Sequence, residues 1–504
     1  MKKRVERLRG MYDLLPETYH QQRWLMGRLG DFLSRAGYVQ VDSPILEQSD
    51  LFQASFGQDL WQNLYSFRLH HRELCLRPEY TASICRMYLD HYQQQPLPLR
   101  FHYAGPIFRY ESPGRERYRQ HTQLGIELFG GQSALADAEI VLLACDVLHE
   151  LQISRYRLEL GHIGVASGFI NRLKLDDQAA RLLLSLMEQI GRSEEGEQLA
   201  RARLEALYPQ SESDEKQRIA HQDGSVSEAE SRLVGSLLGG MDIPFGDDAD
   251  RREVIERFLW KIERSEQRRQ ILYGLEFLQA LHAVSGPPPE VFHELRALLA
   301  RYELDPEPLR ELEQLVEVIE QSGVPREQII LNLSLGRGVS YYTGLVFEIH
   351  AENQTGSNTQ LCGGGRYDHL MRAVGSSRDV KACGFAFGLE RLLTQLPASE
   401  VPELEATAAV VIPVSEQDAA YAMRVARQLR LAGTHIELDI TGHGVGSGLK
   451  LAARKKVRYA LIVGEVERQA ETVTLRDLET SEEQSVPLKE LVPQLLTREG
   501  KMVG

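Results

Sequence analysis

The stretch Phe108–Gly130 reads FRYESPGRERYRQHTQLGIELFG. It divides into a short alternating run, a basic loop that contains Pro113 and Gly114, and a second alternating run. That order predicts two strands joined as a long hairpin. Strand side chains repeat every two residues. Arg109 and Glu111 therefore share one face of the first strand, and Gln123, Gly125 and Glu127 share one face of the second.

Around this hairpin the chain carries more strand signals: YVQVDSPILE (38–47, broken by Pro44), ELCLRPE (73–79) and LRFHYAGPIFRYE (99–111). Helical patterns stand at 18–36, where Trp24, Leu25, Leu29, Phe32 and Leu33 share one side, and near 81–91 and 135–151. Gly37 fits the stop of the first helix. Hairpin-linked strands with flanking helices predict an α+β domain built on an antiparallel sheet.

From about residue 166 to 327 the pattern becomes helical and charged, and includes the Ser/Glu-rich run SESDEKQRIAHQDGSVSEAES (211–231), which reads as a solvated loop. Strand patterning resumes at 328–352 and 359–370, followed by a helix at 388–396. The expected organisation is therefore a sheet domain over 1–165, a helical insertion over 166–327, and the resumed sheet domain over 328–400. A linker (396–407) then leads to a small α/β domain over 405–504, whose strands AAVVIPV, THIELDI, RYALIVG and ETVTLRD alternate with the helical stretches SEQDAAYAMRVARQLRLAG and GSGLKLAARKK. The C-terminal domain carries no Walker loop and no GxGxxG.

The 504 residues are 42% hydrophobic and 26% charged, enough for sizeable cores, and the formal charge is −14. An acidic balance argues against a sequence-independent DNA coater, but leaves room for a nucleic acid met by a local basic face. Five cysteines form no CxxC pair and no zinc spacing, which predicts buried, reduced thiols in a cytoplasmic protein. The N-terminus has no apolar signal core, and no apolar run is long enough to span a membrane.

Four polar clusters lie in the sheet domain. They are Arg77–Thr81, the hairpin above, GRGVSYYTG (336–344) with GGGRYD (363–368), and GFAFGLERLL (384–393). Several arginines at strand and helix starts, with no lysine among them, suit phosphate oxygens met by planar forks. Carboxylates, an amide and phenols on the same sheet suit a small zwitterion.

These motifs resemble those of the class II aminoacyl-tRNA synthetases, and in particular the histidyl-tRNA synthetase family. RGMYDLLPE and GYVQVDSPILE look like the family's opening and its motif 1, which builds a dimer interface. The hairpin is similar to motif 2, and GFAFGLERLL to motif 3. GRGVSYYTG and GGGRYD are similar to the two histidine-specific signatures. The resemblance covers roughly 1–165, 328–397 and 405–495.

It implies a histidine–tRNA ligase that uses ATP and Mg²⁺ and acts as a homodimer on L-histidine and tRNA-His. Glu79, Thr81 and Gln123 would hold the histidine α-ammonium, with Tyr80 adding bulk beside that site where bacterial members have glycine. Glu127 and Tyr342 would grip the imidazole, and Tyr341 and Tyr367 would line its pocket. Arg109 would meet the ATP α-phosphate, Glu111 belongs to the same ATP site, and Arg117 and Arg391 would meet the outer phosphates. Arg337 would bridge the substrate carboxylate and the α-phosphate as the catalytic arginine, with Arg109 beside it.

The motif 2 loop, Ser112–Tyr118, would face the tRNA acceptor end, and Lys450, Arg454 and Lys455 of a basic C-terminal helix would contact tRNA phosphates. Ser340 departs from the family, which places an acidic residue there. The stretch LELGHIGVASGFINRL (158–173) looks more like the ATP phosphoribosyltransferase regulatory subunit, a non-catalytic relative that senses histidine. Such subunits generally lack the anticodon-binding domain and lose arginines of the ATP site. The C-terminal domain present here and the retained Arg109, Arg117, Arg337 and Arg391 favour the enzyme.

Overall fold

The computed structural model describes residues 5–53, 64–110, 118–131, 133–187, 198, 202, 267–336, 341–352, 358–397, 399–404 and 407–498. The Ser/Glu-rich run 211–231, the hairpin loop 111–117 and residues 337–340 lie outside them. The chain divides into two compact units, Met1–Val401 and Pro402–Gly504.

Twelve strands of the first unit follow in chain order: β1 Val39–Gln40, β2 Leu46–Gln48, β3 Ser66–Leu69, β4 Arg72–Leu76, β5 Leu99–Phe108, β6 Gln120–Phe129, β7 Tyr156–His162, β8 Ser285–Gly286, β9 Ile329–Asn332, β10 Leu345–Glu352, β11 Asn358–Arg366 and β12 Ala382–Gly388. Nine of them form one sheet in the order β1-β5-β6-β12-β11-β10-β7-β9-β8, while β2, β4 and β3 form a small separate sheet. The centre, from β5 to β7, is antiparallel throughout. Parallel pairs occur at the flanks, β1 on β5 and β7 on β9. The predicted antiparallel sheet is thus its central body, and Pro44 separates β1 from β2, which enter different sheets.

Helices Pro16–Arg35 and Ser133–Glu150 belong to the large core on one face. The first buries Leu25, Leu29 and Leu33, and the chain turns away where Gly37 adopts φ +86°, a conformation L side chains rarely take. Leu124, Ile126 and Leu128 of β6, Phe347 of β10, and Phe385 and Phe387 of β12 join that core. Each fully buried side chain of this kind contributes about 1.5–3 kcal/mol. Buried residues of the helical region, including Phe169, Leu183, Phe277, Leu295 and Ile319, belong to the same continuous core. The opposite sheet face packs against helix Thr81–His91 through a smaller, tyrosine-rich cluster with Tyr80, Tyr88, Phe101, Tyr103, Phe129 and Tyr367.

The second unit is a five-stranded sheet, β13 Ala409–Pro413, β14 Ile436–Leu438, β15 Tyr459–Val463, β16 Thr472–Asp477 and β17 Glu483–Pro487, in the order β14-β13-β15-β16-β17. Helix Ala419–Leu431 buries Tyr421, Ala422, Val425, Ala426 and Leu429, and the chain turns at Gly433 with φ +83°. Beyond the sequence reading, β17 and helices Glu465–Ala470 and Leu488–Arg498 complete the unit.

The basic helix spans Val445–Arg454 and stops earlier than expected, because Lys456 turns left-handed with φ +57°. Lys455 therefore lies past the helix, where its ammonium pairs with Glu437. Lys450 and Arg454 stay on the helix and exposed. All five cysteines are buried, and none of them is in a disulfide. Among the described residues no helix is long and apolar enough to cross a membrane.

Candidate active site

The working face of the sheet is nearly bare. Cross-strand register aligns Tyr103 with Gly125, Gly105 with Gln123, Gly384 with Glu127, Gly388 with Gln123, and Gly365 with Gly384. This floor leaves space for groups that rise from it. A Cβ on Gly384 would lie 2.2 Å from Glu127 Oε2, and one on Gly365 would lie 2.9 Å from the Tyr342 ring.

Glu127 stands at the centre of this floor and is 1% exposed. Tyr103 donates to its Oε1 at 3.2 Å, and Tyr367 donates to its Oε2. Burial is the main cause that pushes its carboxyl up to about 8, against the phenol donors. Glu79 is the second buried carboxylate. Its Oε2 accepts from the Thr81 amide at 3.0 Å and its Oε1 from the Ala82 amide at 2.9 Å, at the first turn of helix Thr81–His91. Burial raises Glu79 too, opposed by these amides and by the charge of Arg109. Tyr341 reaches Glu79 Oε2 at 3.5 Å, and the Thr81 side chain interacts with both carboxylates. Gln123 directs a buried Oε1 that has no hydrogen-bond partner. Two enclosed carboxylates and an open amide oxygen form an acceptor-rich pocket, which suits a small ligand rich in N–H donors.

Tyr341 lies 4.9 Å from Tyr342 and 5.8 Å from Tyr367, centroid to centroid, so the three phenols form one wall. That wall is anchored from behind. The Thr343 amide donates to Arg366 O at 2.8 Å, and the Arg366 guanidinium is held by Asp137 at 2.7 Å and Asp368 at 3.1 Å. The two signature stretches are thereby joined by a backbone hydrogen bond, and a buried ion pair ties the second of them to helix Ser133–Glu150.

Two of the arginines expected to meet phosphate lie among the described residues. Arg109 donates from Nε to Pro78 O at 2.8 Å, and Arg391 from Nη1 to Gln360 O at 2.8 Å. Both act on His121, whose imidazole is lowered to about 3 by burial first and then by these two charges. The arginines thus converge across a neutral ring. Glu390, beside Arg391, accepts from the Thr122 amide at 2.9 Å and from Tyr12 at 2.7 Å, which fixes the start of the Leu389–Gln395 helix on β6.

The structure therefore brings together Glu79, Thr81, Gln123, Glu127, Tyr341, Tyr342 and Tyr367, with Arg109 and Arg391 alongside. Arg337, Glu111, Arg117 and Ser340 lie outside the described residues. Tyr80 departs from expectation: its hydroxyl engages Arg77 and Asp42 rather than the Glu79–Thr81 side. Tyr103 and His121 are the site residues that motif reading left without a role. The two-residue alternation already placed His121 on the face of Gln123 and Glu127, and that signal could have found it.

Comparison with known proteins gives the same picture. The model of the histidyl-tRNA synthetase family matches residues 10–233 and 252–392, and so continues through most of the helical region, where the motif resemblance is weak. The anticodon binding domain model matches residues 408–498. The histidine–tRNA ligase of Methanococcus maripaludis strain C6 is 28% identical over 487 residues, 96% of this chain and 98% of that one. The histidine–tRNA ligase of Pyrococcus furiosus is 28% identical over 491 residues, 97% and 98% of the two chains. In fold, the apo histidyl-tRNA synthetase of S. aureus is similar with a TM-score of 0.61 at 21% identity, covering 98% of this chain and 100% of that one. An ATP phosphoribosyltransferase regulatory subunit/histidyl-tRNA synthetase from Bacillus halodurans is similar at 0.58 and 21%, covering 92% and 99%. With the family model matched on both sides of the glycine floor and across most of its length, the chain belongs to the histidyl-tRNA synthetase family.

Proposed function

We propose that the protein is a histidine–tRNA ligase, which joins histidine to ATP as histidyl-adenylate with release of pyrophosphate and then transfers histidine to the 3′ end of tRNA-His. The observation that carries this reading is the enclosed acceptor pocket: Glu127 between two phenols, Glu79 at a helix start, and the open Gln123 oxygen. The α-ammonium meets Glu79, Thr81 and Gln123, and the imidazole nitrogens meet Glu127 and Tyr342. A side chain without N–H donors offers nothing to the remaining acceptor capacity of Glu127, which penalises it. Arg109 and Arg391 offer fixed cations to ATP phosphates, and Arg337 and Arg117 add to them. Fixed charges aimed at the α-phosphoryl oxygens lower the barrier as the histidine carboxylate attacks phosphorus and pyrophosphate leaves.

Mg²⁺ is a hard cation commonly held through substrate phosphates. Among the described residues no three carboxylates, histidines or cysteines converge to hold a metal, and phosphate oxygens with Glu111 would hold the ion. When bound, the ion would neutralise phosphate charge.

Transfer to tRNA would draw on the motif 2 loop near the acceptor end and on Lys450 and Arg454 of the second unit. Lys455 contributes there only if it leaves Glu437. The regulatory-subunit reading is not favoured, since histidine–tRNA ligases match nearly the whole chain and the anticodon domain model is matched.

The protein would act in the cytoplasm as a homodimer, joined where Val39, Ile45, Leu46, Phe67 and Leu69 leave apolar surface exposed around β1–β3. A monomer by sedimentation at micromolar concentration would refute the dimer. The main test is histidine-dependent ATP–pyrophosphate exchange together with charging of tRNA-His. Histidine binding without exchange or charging would overturn the ligase reading.

A further inference from the structure

Tyr80 follows Glu79 in sequence, yet its side chain leaves the pocket. The ring is fully buried and stacks on Tyr103, with centroids 4.2 Å apart and planes inclined by 13°. Its hydroxyl donates to Asp42 Oδ1 at 3.1 Å and accepts from Arg77 Nη2. Arg77 is 1% exposed, and its guanidinium lies 3.9 Å from the centroid of the Tyr80 ring. It is itself fixed by donation to Pro106 O at 2.9 Å, to Asp42 at 3.1 Å and to Ser43 O. A buried guanidinium so fully engaged gives the phenol a rigid anchor.

Two glycines make room for the stack. A Cβ on Gly105 would lie 2.1 Å from the Tyr80 hydroxyl, and one on Gly125 would lie 2.6 Å from the Tyr103 hydroxyl. Tyr103 ends on Glu127 Oε1 at 3.2 Å. The chain of contacts therefore runs from exposed Asp42 through Arg77 and Tyr80 to Tyr103 and the central carboxylate. Tyr80 touches no group of the pocket by hydrogen bond, but it supplies the surface against which Tyr103 is oriented. An offset aromatic pair is worth about 0.5–1.5 kcal/mol beyond its buried area, enough to bias a phenol between rotamers.

We propose that Tyr80 is a positioning residue for histidine recognition, acting through the stacked Tyr103 ring to hold the Glu127 carboxylate in one orientation. The inference rests on the ligase reading above. It separates recognition of histidine from handling of ATP, because the stack ends on Glu127 and not on the arginines.

The test uses the full-length protein, with L-histidine binding followed by calorimetry and KM for histidine and for ATP measured in pyrophosphate exchange. Tyr80→Leu removes the stack and is expected to raise Kd and KM for histidine about tenfold, the worth of roughly one hydrogen bond, with KM for ATP unchanged. Tyr80→Phe keeps the ring and restores histidine affinity close to the wild type. Tyr103→Phe keeps the stack, loses the donor and reproduces the leucine phenotype. The double variant Tyr80→Leu/Tyr103→Phe loses no more than either single one, since both act on one contact.

If the leucine variant does not fold, Tyr80→Met fills the space without a ring face and carries the same comparison. Unchanged histidine binding, equal weakening for histidine and ATP, or additive losses would overturn the proposal. A wild-type protein that binds no histidine sinks the ligase reading and this inference together. A wild type that binds and exchanges, with a leucine variant equal to it, sinks the inference alone.

Discussion

The two faces of strands β6 and β12 share every backbone hydrogen bond but do opposite work. On one face Leu124, Ile126, Leu128, Phe385 and Phe387 are buried in the large core. On the other, Gln123, Gly125 and Glu127 stand across from Gly388, Ala386 and Gly384. The first face is filled by its own side chains and supplies stability. The second face is left bare, and tyrosines from other elements close around two carboxylates that are costly to bury. A single pair of strands can therefore pack a core and build a receptor, because alternate side chains never meet.

The sharpest way to break this comparison is a change on the bare face that leaves the core alone. Glu127→Gln keeps the shape of the group and removes its capacity to ionise. It is expected to lower kcat/KM for histidine about 10³-fold in pyrophosphate exchange, a cost of about 4 kcal/mol in transition-state stabilisation, while the urea midpoint does not fall. A comparable loss of stability would mean that the two faces are not separable.

The mirror experiment, Leu124→Ala, opens a cavity in the core. It is expected to cost about 3 kcal/mol in denaturant unfolding and to leave KM for histidine nearly unchanged in the folded fraction. A large rise in KM would show that the packed face sets the receptor.

A subtler distinction lies in pH. The Glu127 carboxyl is raised from 4.5 to about 8. Its neutral form is therefore favoured in the fold, and the unfolded chain holds fewer protons between those values. The contribution of this group to the stability of the ligand-free protein therefore falls as pH rises from 4.5 to 8, by at most about 1.4 kcal/mol per unit. Glu79 is raised too and adds in the same sense. Melting temperatures of the wild type and Glu127→Gln, measured from pH 5 to pH 8, should diverge with the variant gaining. Parallel curves would show that burial does not raise the Glu127 carboxyl.

Much of the site was legible in the sequence. The alternation in HTQLGIELFG placed Gln123 and Glu127 on one face, and the structure has them there. The Gly37 stop, the Pro44 break and the core stripe of Leu25, Leu29 and Leu33 also follow from local chemistry. Tyr80 could not be read in this way. Its neighbour Glu79 suggests that both face the ligand, yet its orientation is set by Arg77, Asp42 and the bare Gly105, which come together only through β5. Tyr103 escaped for a similar reason, since its partner Glu127 lies across the hairpin and its stacking partner lies before a helix. The early end of the basic helix at Arg454 depends on a left-handed turn at Lys456, where no glycine announces it.

By itself, the sequence determined the strand periods, the core stripes and the motif residues, because these depend on the geometry of adjacent positions. It also placed glycines along the working strands without saying what they make room for. Only the tertiary structure decided that the room is filled by Tyr80 and Tyr103 at one end and left for a ligand beside Glu127. That choice is set by contacts between residues far apart in the chain, and such distances close only when the sheet is assembled.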